Sequence, residues 1–290
     1  MPDRWARWLL EHRCGGDPEE FARQLPNLEE FRRRVLENAE IQEGDVVLDI
    51  GAGNGLIGFG ALEQVGPSGR VIFSDVSDDL LDECRRIAEE LGAADRCDFV
   101  RASADDLPLE DESVDVATSR SVLIYLMEKL PAFVELHRVL RPGGRLSIFE
   151  PINIFGNAAF RKGYWGLDTS PVEHLAEKVR AQWKQPDEHP LLNFDERDLL
   201  RLAEEAGFGE IRMDYRAEIK QEPHWAKSWD TLANYSGNPL DPTLGEEIAA
   251  ALDDDERAEF EAHLRAVLAR RPLVSMRMAS VYLRAVKTEG

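Results

Sequence analysis

The 290-residue chain has little cysteine, few basic residues for its many acidic ones, and no long apolar run. Each shortage excludes something. The three cysteines, Cys14, Cys84 and Cys97, are scattered, with no CxxC and no Cys/His metal spacing. That supports neither a disulfide framework nor a structural zinc. Cys84 falls on the apolar face of an expected helix and reads as a small buried hydrophobe. No apolar run approaches the roughly 18 to 20 residues of a membrane span. The N-terminal stretch "MPDRWARWLLEHRCGGDPEE" holds only a short apolar cluster before it turns acidic, without the apolar region of a secretion signal. A cytoplasmic location is the expectation.

Lys and Arg number 35 against 56 Asp and Glu, for a formal net charge of −21. Such a charge repels a polyanion, so a nucleic-acid partner is not expected. The one basic cluster, Arg32 to Arg34, reads as the solvated face of a helix. The acidity suits a small-molecule or cationic partner, and a homo-oligomer is left open.

The rest of the composition is that of a folded protein, with 43% hydrophobic residues. Residues 1–44 read as helical, with Phe31, Val35, Leu36 and Ala39 three and four apart. Strands and helices then alternate. "DVVLDIG", "GRVIFSDVS", "CDFVRAS", "SVDVATSRSVL" and "GRLSIFEP" read as strands. "GLIGFGALEQVG", "DDLLDECRRIAEELG" and "KLPAFVELHRVL" read as helices, the second capped by Ser77 with Asp78 and Asp79 at its positive end. This order implies an α/β fold with a parallel sheet and helices on both faces. Later, "DERDLLRLAEEAGF" reads as a helix, "GEIRMDYRAEIK" as a strand and "VSMRMASVYLRAV" as a last strand. The expected organisation is a helical cap at 1–44, a core at 45–151, a cap insertion at 152–192, further core at 193–220 and 273–290, and a second helical insertion at 221–272.

The stretch "VVLDIGAGNGLIGFG" carries the chemistry. A buried strand ends in glycines and runs into a helix, which brings bare backbone close to a bound group. Two frames compete. A dinucleotide GxGxxG starting at Gly51 fails, because its sixth position is Leu56. Starting at Gly53 it succeeds through Gly58, but the strand then runs through Gly51 and Asp49 lies buried well inside it, a costly place for a carboxylate. An NAD-dependent oxidoreductase would need that frame. An acid beside the turn instead suits a cationic ligand, an ammonium or sulfonium.

Asp49-Ile50-Gly51-Ala52-Gly53-Asn54-Gly55 resembles motif I of the class I S-adenosylmethionine-dependent methyltransferases: an acid, any residue, then GxGxG. The resemblance implies that the glycines pack against the methionine part of S-adenosylmethionine and that Asp49 helps orient it. Asp75, at the end of the next strand and 20 residues after Gly55, is placed to take both ribose hydroxyls, with Val76 beside it. "ASADDLPLEDESVDVATS" is similar to the segment of the menaquinone and ubiquinone biosynthesis methyltransferases that reads "GDAEDLPF". Ser103 stands where those proteins carry an acid for the adenine amine, so the Ala104 backbone and a shifted Asp105 are expected to serve it. "HRVLRPGGRLSIFEP" resembles the family's approach to strand five. The likeness spans about residues 30 to 151. It implies a Rossmann-like seven-stranded sheet, mostly parallel with its last strand antiparallel, plus helical cap segments that usually form the acceptor pocket.

Methyl transfer is an in-line displacement at carbon, dominated by alignment of the acceptor. The ends of strands four and five supply Ser119-Arg120-Ser121 and Glu150. Ser119 and Arg120 are counted with the cofactor site; Glu150 is the candidate general base. Ser119-Arg120-Ser121-Val122 is unlike the Asn/Asp-Pro-Pro-aromatic tetrad of amino-methylases, and arsenic methylation lacks its cysteines. His12, His174, His189 and His224 lie in the segments without likeness. So do Trp5, Trp8, Tyr164, Trp165, Trp183, Trp225, Trp229 and Tyr235, read as part lid packing and part acceptor cavity. The expected activity is methyl transfer to an O, N or C atom of a small organic molecule; a catalytically silent binding protein of this fold is the other alternative.

Overall fold

The computed structural model describes residues 2–156 and 163–288. The chain forms two compact units: residues 26–152, 194–216 and 280–290, and residues 1–25, 153–193 and 217–279.

The first unit is built on the sheet. Its strands are β1 (Val46–Ile50), β2 (Arg70–Asp75), β3 (Cys97–Arg101), β4 (Val114–Arg120), β5 (Leu140–Pro151), β6 (Gly209–Pro223) and β7 (Leu273–Val286), the last two continuing beyond this unit. Their order is β3-β2-β1-β4-β5-β7-β6. β1 to β5 pair in parallel, and β7 joins β5 antiparallel with Ile148 opposite Leu283. The Rossmann-like seven-stranded sheet expected from the sequence is the one observed.

The β-branched run of β1 is buried because helices cover it. Val47, Val71 and Val116 on neighbouring strands share a core with Ala61, Leu81 and Cys84 from the helices Gly58–Gln64 and Asp78–Glu90. Ser77 caps the second of these, its hydroxyl accepting from the Leu80 amide at 3.1 Å. Leu130–Val139, Glu196–Glu205 and the part of Pro18–Ala39 from Pro26 onward are further helices of this unit; Asp195 and Asp198 cap the second reciprocally. Phe31 stacks on Phe149 at 4.2 Å, and Arg34 lies 3.7 Å over the Tyr282 ring.

The second unit is helical. It holds Arg4–Arg7, a π-helical turn at Trp8–His12, and the helices Glu173–Arg180, Trp229–Ala233, Leu244–Ala251 and Asp254–Ala269. Its core is Tyr164, Trp165, Trp229, Phe260, Leu264 and neighbouring aliphatics.

Several boundaries differ from the expectation, two of them for plain physical reasons. The N-terminal cap is not one piece: Pro18–Ala39 is a single helix, and the division between units falls at Pro26, which has no amide to give to that helix. The helix after β1 begins at Gly58 rather than Gly55, because the glycines before it are in a turn.

Candidate active site

Parallel strands end together, so residues far apart in sequence meet in one row. Ile50 of β1 lies opposite Ser74 of β2 and Ser119 of β4; Ser119 lies opposite Ile148 of β5, and Arg120 opposite Phe149. Asp75 and Gly51 follow Ser74 and Ile50, and Ser121 and Glu150 follow Arg120 and Phe149, at the strand ends. The carboxyl ends of a parallel sheet are where such folds bind ligands.

Gly51, Gly53 and Gly55 all have positive φ, at 60°, 57° and 82°. β1 stops at Ile50 and the turn begins at Gly51, so the strand does not run on through Gly51 as the Gly53 frame of a dinucleotide turn requires. Sequence reasoning took the bare backbone as the sign of a bound group. Gly51 and Gly55 have a reason within the protein as well. A Cβ on Gly51 would sit 2.2 Å from Val122 Cγ2, and one on Gly55 would sit 2.3 Å from the Phe59 ring. The Ala52 amide donates to Ser74 O at 3.0 Å and the Gly53 amide to Asp75 Oδ2 at 2.9 Å, tying the turn to β2. Asn54 at its tip is exposed.

Asp75 is 6% exposed and accepts from Gly53 through one oxygen and from the Ser77 amide, at 2.9 Å, through the other. Val76 beside it is exposed. After β3, the Ser103 hydroxyl donates to Asp105, Ala104 is buried, and the Ala102 amide donates to Asp75 O at 3.0 Å. The stretch expected to serve the adenine is thereby tied to the end of β2, beside the acid expected to take the ribose. Ser119 is 2% exposed, and its hydroxyl has no hydrogen-bond partner within the protein. A buried unpaired hydroxyl at a strand end is costly unless something occupies it.

A family described as a methyltransferase domain matches residues 41–207, more than half of the chain. The chain belongs to that family. It is a class I S-adenosylmethionine-dependent methyltransferase. The ubiquinone/menaquinone biosynthesis C-methyltransferase of Hahella chejuensis is 30% identical over 190 residues, covering 61% of this chain and 72% of that relative. The same enzyme of Francisella tularensis subsp. novicida is 27% identical over 194 residues, covering 62% and 73%. Among solved structures, YcgJ of Bacillus subtilis superposes with a TM-score of 0.57 at 18% identity, covering 90% of this chain and all of that one. A phosphoethanolamine N-methyltransferase of Haemonchus contortus, solved with S-adenosylhomocysteine, gives a TM-score of 0.51 at 17% identity, covering 90% and 53%. Both structures share the fold.

Two buried acids of this methyltransferase are already committed within the protein. Asp49, 1% exposed, accepts from the Thr118 hydroxyl and from the Gly58 amide, each at 2.9 Å. Burial pushes its carboxyl up to about 7, against those hydrogen bonds and the nearby Arg120 charge. Asp49 thus pins the first turn of the helix after the glycines onto β4. Glu150, the candidate base, is fully buried, and both its oxygens are taken. Oε1 accepts from the Val122 and Leu123 amides at 2.8 and 2.9 Å, and Oε2 from Ile124 at 3.4 Å. Its pKa is also pushed up to about 7, by burial, with the amides and Lys129 opposing. Its geometry is that of an anchor for the turn after β4.

Sequence reasoning missed Thr118, Val122 and Lys129. Thr118 could have been found by asking what satisfies a buried Asp49. Val122 could not, because its contact with Gly51 depends on the left-handed Ser121 (φ 58°) that turns the chain back. Lys129, 4% exposed, donates to Leu126 O at 2.8 Å and lies 4.5 Å over the Phe194 ring; burial lowers its pKa to about 8. Cys84 is buried as expected, and its thiol donates to Gly53 O at 3.3 Å. Burial raises its pKa to about 12, which leaves it an unreactive thiol.

The four histidines and eight aromatics singled out from the sequence lie in the helical unit. His12 bonds Asn234 at 3.0 Å, His189 bonds Asp241 at 2.9 Å, and His224 accepts from the Ala226 amide at 3.1 Å; His174 is exposed. Trp165 packs edge to face on both Tyr164 and Trp183. Among the described residues no cluster suits a metal ion, and no helix is long and apolar enough to cross a membrane.

Proposed function

We propose that this methyltransferase moves the methyl group of S-adenosylmethionine to a small organic acceptor, with carbon as the methylated atom. The observation that carries the reading is the row at the strand ends: a glycine turn, a buried acid tied to it, and a buried hydroxyl without a partner. The names of the similar enzymes, C-methyltransferases of quinone biosynthesis, support carbon as the acceptor atom.

The residues fit the cofactor. Asp75 takes the ribose hydroxyls, the Gly51–Gly55 turn lies along the methionine part, and Ser119 donates its hydroxyl to it. Ala104 and Asp105 face the adenine. Asp49 holds the turn rather than the ligand, and Arg120 adds positive charge near Asp49. When bound, the cofactor supplies a methyl group on a sulfonium that leaves without protonation. What remains for the protein is alignment and exclusion of water. Glu150 serves alignment, by fixing the turn that carries Val122 against Gly51.

Calorimetric titration with S-adenosylmethionine, S-adenosylhomocysteine and NAD in parallel tests the reading. Micromolar binding of the first two, none of NAD, and a loss of at least about tenfold in Asp75→Ala are expected. NAD binding alone would overturn it. Transfer of label from methyl-labelled cofactor to phenolic or quinol-like acceptors, with the product atom identified by NMR, tests the chemistry. Tight cofactor binding with no transfer to any acceptor would favour a silent binding protein.

A further inference from the structure

β6 is an outer strand of the sheet, with β7 as its neighbour. It runs 15 residues, Gly209–Pro223, where about 5 to 6 is usual, and has no proline before its last position. From Asp214 onward every residue of it is exposed. Native sheets guard such edges with prolines, bulges, or charges that repel a second strand. Glu210, at φ 46°, breaks the start of the strand, and the regular part begins at Ile211.

The charges on that part do not repel a copy of themselves. One face carries Arg212, Asp214, Arg216, Glu218 and Lys220, alternating in sign without a break. The other carries Ile211, Met213, Tyr215, Ala217 and Ile219, with Tyr215 41% and Ile219 57% exposed. Two copies meeting edge to edge about a two-fold axis pair antiparallel, and opposed residues share a face. If the axis passed a charged position, like charges would meet along the ladder. If it passes Tyr215, every pair is complementary. Asp214 meets Arg216 twice and Arg212 meets Glu218 twice. On the other face Tyr215 meets Tyr215, Met213 meets Ala217, and Ile211 meets Ile219.

We infer that β6 is a self-pairing edge, and that two copies of this chain join through it as an antiparallel pair centred on Tyr215. The existing ion pairs on this face do not compete strongly. Asp214 bonds Arg34 at 2.6 Å through one oxygen while its side chain stays 68% exposed, and Arg216 is 3.9 Å from Glu30. Glu218 bonds Lys220 at 2.7 Å, both side chains about half exposed. The exposed Arg216 and Glu218 pairs exchange partners at little cost, while Arg34, its side chain 10% exposed, keeps its bond to one Asp214 oxygen and leaves the exposed side of that carboxylate to meet Arg216 of the second copy. The net charge of −21 opposes association at long range, but at about 0.15 M salt it is screened beyond about 8 Å, while contact pairs persist.

Sedimentation equilibrium of the full chain, at about 1 to 100 µM and about 0.15 M salt, reads the outcome. The wild type is expected to dimerise in that range. R212E and E218R each place like charges across the pair and are expected to weaken the dimer at least about tenfold. R212E/E218R restores it. Within one copy these positions are six residues apart, about 20 Å along the strand, so rescue can arise only between copies. Unchanged thermal melting of the variants excludes misfolding, since both sites are exposed. A wild type that stays monomeric overturns the inference. So does a dimer indifferent to both single changes, which would use another face, or a double variant that fails to recover.

Discussion

The two units bury different things. In the sheet unit, charged and hydroxylic groups are buried together at one end of the strands: Asp49, Asp75, Thr118, Ser119 and Glu150. In the helical unit, large rings are buried together: Tyr164 and Phe260 with no exposed surface to speak of, and Trp165 and Trp229 nearly so. Its buried polar groups mainly fasten loops, as His189 does with Asp241 and Ser236 does with the Asn238 carbonyl at 2.6 Å. Burying an acid is costly, and burying a ring is what folding favours. Concentrated cost marks a working site; concentrated gain marks a core. Substitutions should therefore behave oppositely in the two places.

The largest effect is expected at the glycine turn. Gly51→Val sets a β-branched residue at φ 60° and drives its Cβ to within 2.2 Å of Val122. A loss of about 3 kcal/mol or more follows, together with loss of S-adenosylhomocysteine binding. Gly51→Val is thus not a clean probe of binding alone. Gly51→Val/Val122→Ala relieves the clash but not the backbone strain. It should recover part of the urea midpoint and none of the binding. Full recovery of both would mean that the turn is only a packing device and that the contrast between the units fails.

Glu150→Ala comes next. It leaves the amides of Val122, Leu123 and Ile124 without their acceptor, at a cost of about 3 kcal/mol. Glu150→Gln keeps one carbonyl oxygen for the two shorter bonds and should retain most of the stability. If Glu150 acted as a base, the glutamine variant would lose turnover as fully as alanine does. If it positions the turn, glutamine should rescue both turnover and cofactor affinity.

A smaller effect depends on pH. Asp49 and Glu150 both titrate near about 7 in the folded protein, against ordinary values of 3.8 and 4.5. Between those limits the folded state holds protons that the unfolded chain lacks. Their contribution to stability is complete below about 4, and it is lost as pH rises to about 7. Asp49→Asn removes one of the two. Its carbonyl can accept from Gly58 and its amide can donate to the Thr118 oxygen, while the Thr118 hydroxyl turns to Leu48 O, 3.4 Å away. Urea unfolding at pH 5, 6, 7 and 8 should show the wild type gaining stability toward pH 5. The variant should gain less, by about 2 kcal/mol. Equal slopes would mean that Asp49 is ionised throughout, and that burying it costs less than the contrast requires.

Much of this contrast was legible in the sequence, and its limits are physical. The order of strands follows from alternating apolar runs and caps such as Ser77, which are local signals. The acids Asp49 and Asp75 were legible because a carboxylate at the end of a buried run is improbable without a purpose. The role of Glu150 was not, since its three amide donors lie about 27 residues earlier and meet it only through the register of β4 on β5. Nor was the break at Pro26, because Pro18–Ala39 has helical periodicity on both sides of it. The aromatics of the helical unit were visible as a composition. Whether they line a cavity or fill a core depends on side-chain contacts that no spacing encodes.

Tyr164→Phe tests that last point with the smallest change. The Tyr164 ring has no exposed surface and packs against Trp165 at 5.4 Å and Phe260 at 5.1 Å, both edge to face. Its hydroxyl has no hydrogen-bond partner, and burial raises its pKa well above the usual phenol value. If these rings are a core, the hydroxyl is a cost without return. Removing it should then stabilise the protein by about 1 kcal/mol and leave turnover unchanged. If the rings instead line an acceptor cavity, the hydroxyl meets substrate, and phenylalanine should raise KM with little change in the urea midpoint. The two readings differ in which quantity moves, so one purified variant, measured for both, decides between them.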